Sequence, residues 1–239
     1  MIAAFLWGGL AASSLVIGYL VAERGISKRT IGLTMGFGAG ALISALAYEL
    51  VPESALGGWA VAVSFALGAL VFFGGDWLVD HWGARHRKTL TGRQEEGSGA
   101  AVFVGTLLDA IPESVVLGMG LAMGGSISVA FLAAVFISNL PEGIAGTVNL
   151  TSAGHSRRGI FAMWAALVLL SGACAVLGYG LVEWVSVTDA RLVQAFAAGA
   201  VLTMLADAMM PEAFEHGGRL TGLFSVMGFG AAAGLSLLE

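Results

Sequence analysis

Three carboxylates lie in the middle of two long apolar stretches of this 239-residue chain. Asp109 and Glu113 are four residues apart in the first stretch, and Glu142 lies in the second, four residues after Ser138. Residues four apart share one face of a helix, so each stretch would present two oxygen donors about 6 Å apart along its axis. An acidic residue at the centre of a bilayer costs about 2.5 to 3.5 kcal/mol on insertion scales, so these three groups require a compensating interaction.

A proline directly precedes each of the two glutamates, at Pro112 and at Pro141. Because proline has no N–H, the carbonyl groups of Leu108 and Ile137 lose their helical donor and remain available as further oxygen ligands at the same depth. All four prolines of the chain are followed by glutamate, which favours a shared role over chance helix kinks. The other two pairs are Pro52-Glu53 and Pro211-Glu212.

The two stretches are predicted to form an antiparallel helix pair with its tip at residues 124–125. Counted from that tip, Asp109 is level with Glu142, and Glu113 is level with Ser138, to within about 3 Å at 1.5 Å per residue. The carboxylates are therefore expected to converge. Neither stretch carries a basic side chain, so the counter-charge that these oxygen donors indicate is a hard or borderline divalent cation.

The composition is that of a membrane protein. Hydrophobic residues make up 57% of the chain and charged residues only 11%, far from the balance of a soluble globular protein. Short connections leave no room for a catalytic domain, and the chain has neither a His-Glu-x-x-His motif nor a membrane-embedded serine–histidine pair. We therefore expect neither an enzyme nor a nucleic-acid partner. The predicted fold class is all-α, and the lipid bilayer is the expected partner of its helices. Eight transmembrane helices are predicted, at residues 2–22, 31–51, 58–80, 100–123, 126–150, 159–182, 190–211 and 219–238.

The basic residues predict the orientation in the membrane. Ten of the eleven lie on one side of the predicted bundle, and only Arg191 lies on the other. The positive-inside rule assigns the side with ten to the cytoplasm, which puts both termini outside the cell membrane. No basic residue precedes the apolar run of residues 1–22, which is therefore expected to be a retained span and not a secretory signal.

An internal repeat relates the second span to the seventh. Residues 36–53 align with residues 195–212 without a gap and are identical at Phe, Ala, Gly, Ala, Leu, Ala, Pro and Glu. Because the second span runs outward and the seventh inward, the repeats are inverted, as in many transporters. The predicted organisation is one transmembrane domain, 1–239, in a 3+2+3 arrangement: a three-helix repeat at 1–80, a cytoplasmic loop at 81–99, a central helix pair at 100–150 and a second repeat at 159–239.

Acidic residues also lie near the two membrane surfaces. Glu49 and Glu53 are expected at the outer end of the second span, and Asp207 and Glu212 at the inner end of the seventh. We interpret these residues as entry and exit positions for the ion. Ordinary solvated helix ends are an equally good interpretation of the sequence here.

The central motifs resemble those of the ZIP (Zrt/Irt-like) family of divalent-metal transporters, which has eight spans and the pattern His-Asn-x-Pro-Glu-Gly in spans four and five. Here residues 109–114 read Asp-Ala-Ile-Pro-Glu-Ser and residues 138–143 read Ser-Asn-Leu-Pro-Glu-Gly, and the Pro-Glu ending of span seven resembles that of bacterial members. The resemblance implies a homodimer with one or two metal ions bridged by the two motif glutamates. It implies ligand positions at Asp109, Glu113, Ser138, Asn139 and Glu142.

The chain departs from the family pattern at three ligand positions. Asp109 replaces the histidine of span four, Ala110 replaces the asparagine, and no acid lies between Ser171 and Tyr179 in span six. A carboxylate site without imidazole is expected to select zinc less strongly, to accept Mn²⁺ or Fe²⁺ and to hold one ion. The predicted function is transport of a divalent metal, with the ion as substrate and no cofactor. The alternative is a metal-sensing or structural membrane protein that does not transport.

Overall fold

The computed structural model describes residues 1–50, 58–79, 81, 98–124, 127–184 and 187–238. Its elements are nine α-helices and two five-residue π-helical turns, π1 and π2, and no β-strand occurs in these ranges. The predicted loop at 81–99 lies mostly outside the described residues. In chain order the elements are α1 Ile2–Ala22, α2 Lys28–Ala45, π1 Leu46–Leu50, α3 Trp59–Val79, α4 Ser98–Gly124, α5 Val129–Ser152, α6 Arg157–Trp184, α7 Val187–Met204, π2 Leu205–Met209, α8 Met210–Gly217 and α9 Leu220–Ser236.

The helices are long and apolar enough to make this a multi-pass membrane protein. Seven helical segments of the described chain have 21 to 29 residues and suitable hydropathy, and about 20 residues cross the hydrocarbon core. The eighth predicted span is α9, which is apolar and has 17 residues. Each of the eight predicted spans therefore has a helical counterpart, and the all-α prediction is confirmed.

The seventh span is longer than predicted. We expected it to end at residue 211, but the helical segment continues to Gly217. Pro211 does not end it: π2 runs directly into α8, and the proline lies in the first turn of α8. The residue that follows the segment is Gly218, whose φ of 64° lies in the left-handed region that favours glycine.

The second and seventh spans change from α-helix to π-helix at matching positions. The turn π1 begins at residue 46 and π2 at residue 205, and they end at residues 50 and 209, so both bounds are separated by 159 residues. The same offset relates residues 36 and 195 in the sequence repeat. A π-helical turn accommodates one extra residue and is frequent at functional sites. The repeat is therefore present in backbone conformation as well as in sequence.

Glycines allow two pairs of helices to approach closely. A Cβ added at Gly40 of α2 would clash with the backbone of Ser225 in α9. At the equivalent position of the repeat, a Cβ added at Gly199 of α7 would clash with the backbone of Phe65 in α3. Small residues at such contacts let membrane helices pack backbone to backbone. The pairs α2–α9 and α3–α7 therefore pack in the same manner.

The helices form two groups around the central pair. One group contains α1, α4, α5 and α6, in which α4 packs mainly on α6 while α5 packs mainly on α1. The other contains α2, α3, α7, α8 and α9, and α2 bridges the groups through α5. Direct contact between α4 and α5 is slight by comparison, so the two helices that carry the candidate site are positioned largely by their neighbours.

Candidate metal centre

The three central carboxylates are buried inside the bundle. Asp109 and Glu113 are each 2% exposed, and Glu142 is 8% exposed. The neighbouring motif residues Ser138 and Asn139 are buried as well. All five predicted ligand residues thus lie away from the lipid-facing surface, as expected for polar groups within membrane spans.

A polar stripe runs along α4. Pro112 lies inside this helix without ending it. Asp109 and Glu113 precede and follow the proline, and their spacing of four places them on one face of the helix. Thr106, three residues before Asp109, and Ser114 are also buried. The stripe of Thr106, Asp109 and Glu113 follows the spacing of three and four that one helix face requires.

Helix α5 is held between α1 and α2 at the level of its motif. A Cβ added at Gly38 of α2 would lie 2.8 Å from the Cα of Ser138, and one added at Gly143 would lie 2.6 Å from the carbonyl oxygen of Leu15 in α1. The hydroxyl of Ser138 donates to the carbonyl of Val135 at 2.9 Å. Its proton is therefore engaged by the backbone, and the oxygen presents lone pairs as an acceptor would to a cation.

The spacing of the ligand residues pairs Asp109 with Glu113 on α4 and Ser138 with Glu142 on α5. Within the described ranges, no three His, Cys, Asp or Glu side chains form a group that could hold a metal ion. Asp109, Glu113 and Glu142 therefore do not form such a group in this conformation, and their convergence stays a prediction. The physical reason is the packing: α4 is drawn toward α6 and α5 toward α1 and α2, which leaves little contact between the two motif helices.

The acids expected near the membrane surfaces have different environments. Glu49 lies in π1, is half-buried and accepts a hydrogen bond from the Ser236 hydroxyl at 2.7 Å. Asp207 lies in π2 and is exposed, whereas Glu212 is half-buried on α8. Glu53 lies outside the described residues.

Two further buried polar residues of α5 escaped the sequence analysis. Thr147 accepts a hydrogen bond from the indole N–H of the fully buried Trp164 at 2.9 Å, and Asn149 is 3% exposed. Asn149 is seven residues after Glu142, so a helical-face count from the motif finds it. No pattern in the sequence indicates the Trp164 contact, because it depends on α6 packing over Gly146.

No protein family model matches this chain, and no curated protein matches it either. A functional assignment therefore depends on the burial, spacing and chemistry of these residues.

Proposed function

We propose that this protein is a divalent-metal transporter of the ZIP type, whose substrate is zinc, manganese or iron. The observation that carries the proposal is the burial of three carboxylates, at 2% to 8% exposure, in the centres of two membrane helices. Ionisable groups at that depth are costly and are characteristic of ion pathways. The substrate ion supplies the positive charge that neutralises them.

The donor set fits a hard or borderline divalent ion. Asp109 and Glu113 provide carboxylates from α4, and Glu142 provides a third from α5, with the Ser138 hydroxyl and the Asn139 amide as neutral oxygen donors. Backbone carbonyls released by the two prolines add to this set. Oxygen ligands without imidazole or thiolate suit Mn²⁺ or Fe²⁺ at least as well as Zn²⁺. Coordination of one ion by both helices requires α4 and α5 to move toward each other from the present conformation.

The internal repeat supports a transporter with a 3+2+3 arrangement and both termini outside. Matching π-helical turns relate α2 to α7, and matching glycine contacts relate the pair α2–α9 to the pair α7–α3. Inverted repeats underlie alternating access in many transporters. Movement of the α1, α4, α5 and α6 group against the rest of the bundle would expose the central site to each side in turn. Glu49 would then lie on the entry side, and Asp207 and Glu212 on the exit side.

Uptake of Mn²⁺ or Zn²⁺ into proteoliposomes tests the proposal. The double variant Glu113→Gln, Glu142→Gln is expected to lose flux by at least tenfold, because both helices then lack the charged ligand next to the proline. The matched control is Glu23→Gln, which changes an exposed glutamate at the end of α1 that pairs with Arg157 at 2.9 Å. Equal flux in wild type and double variant would refute metal transport through this site.

One observation favours a second candidate, a metal-sensing membrane protein that does not transport. In the described residues the carboxylates do not form a three-ligand group, so a metal ion would change the spacing of α4 and α5. A sensor requires only such a shape change. Mn²⁺ binding to the purified wild type that depends on both glutamates, together with no flux in proteoliposomes, would favour this candidate over transport.

A further inference from the structure

Two helix pairs in the bundle are each packed backbone to backbone. In the pair α3–α7, a Cβ added at Gly68 would clash with the backbone of Phe196. In the pair α4–α6, a Cβ added at Gly178 would clash with the backbone of Val115. Direct contact between the two pairs is slight by comparison. Because each pair is fixed by its own close contacts, space remains between the pairs.

That space is an apolar cavity of about 310 Å³. All four helices contribute to its lining, among others through Phe72 of α3, Pro112 of α4, Leu181 of α6 and Ala197 of α7. No charged or hydrogen-bonding side chain lines it within the described part of the chain. An apolar cavity of about 150 Å³ stays dry and takes up a molecule such as benzene. A cavity twice that size therefore favours an apolar ligand with on the order of ten carbons.

The cavity opens toward the lipid between α3 and α4. Val71 of α3 and Ile111 of α4 both line it, and they are 58% and 39% exposed on the outside of the bundle. Val71 also shares one face of α3 with the exposed Leu67, four residues earlier. The cavity is thus continuous with an apolar surface that faces the bilayer in a membrane protein. Further along α3, a Cβ added at Gly75 would lie 3.3 Å from the side chain of Leu108, so α3 and α4 meet again there.

The cavity is elongated along the helices and lies at the depth of the acyl chains. Leu108 and Val115 of α4 both line it, as do Val193 and Ala200 of α7. Each of these two pairs is seven residues apart, which is about 10 Å at 1.5 Å per residue. Pro112 lies near the middle of α4, so the cavity reaches the hydrocarbon region. A lipid headgroup placed there would leave its polar atoms without partners, whereas an acyl chain has none to satisfy.

We propose that this cavity binds one acyl chain of a membrane phospholipid. The chain enters from the bilayer between α3 and α4 and packs between the pairs α3–α7 and α4–α6, while the headgroup stays at the membrane surface. It supplies the packing that the two pairs do not supply to each other. The inference goes beyond the proposed function and does not depend on metal transport.

Native mass spectrometry measures the phospholipid that stays bound. Wild type and variants are equilibrated with dioleoyl phosphatidylcholine in detergent micelles and then stripped by repeated detergent exchange. Ala197→Phe adds a ring to the cavity lining and is expected to lower the fraction of chains that retain a phospholipid at least threefold. The matched control Ala231→Phe adds the same ring at an exposed position of α9 and should retain as much as wild type. Equal retention in Ala197→Phe and wild type, or none in wild type, would overturn the proposal.

A smaller substitution keeps the test decisive if Ala197→Phe does not fold. Added dioleoyl phosphatidylcholine is expected to raise the thermal midpoint of wild type in detergent, and Ala200→Leu, which partly fills the cavity, should reduce that shift to less than half. Ala231→Leu should leave the shift unchanged. A full shift in Ala200→Leu would contradict binding in this cavity.

The lipid headgroup provides a further control. Dioleoyl phosphatidylglycerol has the same chains and should be retained by wild type to the same extent, because the cavity contacts only the chain. Retention that changes several-fold with the headgroup, and that Ala197→Phe leaves unaltered, would place the bound lipid at the membrane surface and overturn the proposal.

Discussion

Replacing the two motif glutamates by glutamine should stabilise the metal-free protein and remove its stabilisation by metal. Glu113 and Glu142 are 2% and 8% exposed at the centres of α4 and α5, where a carboxylate costs about 2.5 to 3.5 kcal/mol. Glutamine keeps the shape and removes the charge, and a buried amide costs about 1 to 3 kcal/mol. Each substitution therefore relieves on the order of 1 kcal/mol, and the pair about 2 kcal/mol.

Metal should reverse this order of stability. A divalent ion present at 1,000 times its Kd adds about 4 kcal/mol to the free energy of unfolding of a protein that binds it only when folded. This stabilisation exceeds the relief of about 2 kcal/mol gained by the double variant. Wild type is therefore expected to be the less stable protein in EDTA and the more stable one in saturating Mn²⁺.

Reversible unfolding in mixed micelles of increasing denaturing-detergent content measures both quantities, with fluorescence of the six tryptophans as the signal. Glu23→Gln is the matched control, because Glu23 is 46% exposed and its ion pair with Arg157 lies at the surface; a change below about 1 kcal/mol is expected. The reasoning is refuted if the double variant is less stable than wild type in EDTA. It is equally refuted if Mn²⁺ stabilises both proteins to the same extent.

Three further predictions concern packing, a buried hydrogen bond and pH. Gly40→Leu should destabilise the bundle by about 3 kcal/mol or more, because the new side chain would meet the backbone of Ser225. The control Gly230→Leu faces open space and should change the thermal midpoint little. Similar midpoints for the two variants would contradict the close α2–α9 contact. Trp164→Phe should lower the free energy of unfolding by about 1 to 2 kcal/mol, because the hydroxyl oxygen of Thr147 loses its donor. A double-mutant cycle with Thr147→Val that shows no coupling would contradict the hydrogen bond between the two side chains. Mn²⁺ affinity, measured by titration calorimetry, should weaken as the pH falls from 7 to 5, since the carboxylates must release protons to bind metal; a pH-independent affinity would argue against carboxylate ligands.

The apolar helical spans and the burial of the central carboxylates could be predicted from the sequence because both depend on local properties. Runs of about 20 apolar residues indicate membrane spans whatever their neighbours are, and a spacing of four places Asp109 with Glu113 on one helix face. The alignment of residues 36–53 with 195–212 likewise anticipated a repeat, which the matching π-helical turns show in the backbone. The π conformation itself has no signature in the residues that form it.

Tertiary packing decided how the motif helices are arranged. Equal depth of Asp109 and Glu142 indicated convergence, but depth along the membrane normal does not determine the distance between two helices across it. That distance depends on glycines remote in sequence, such as Gly38 against Ser138 and Gly178 against Val115, which draw α5 and α4 toward different neighbours. Local hydropathy and helical periodicity thus determined which groups are buried, whereas contacts between distant segments determined which of them meet.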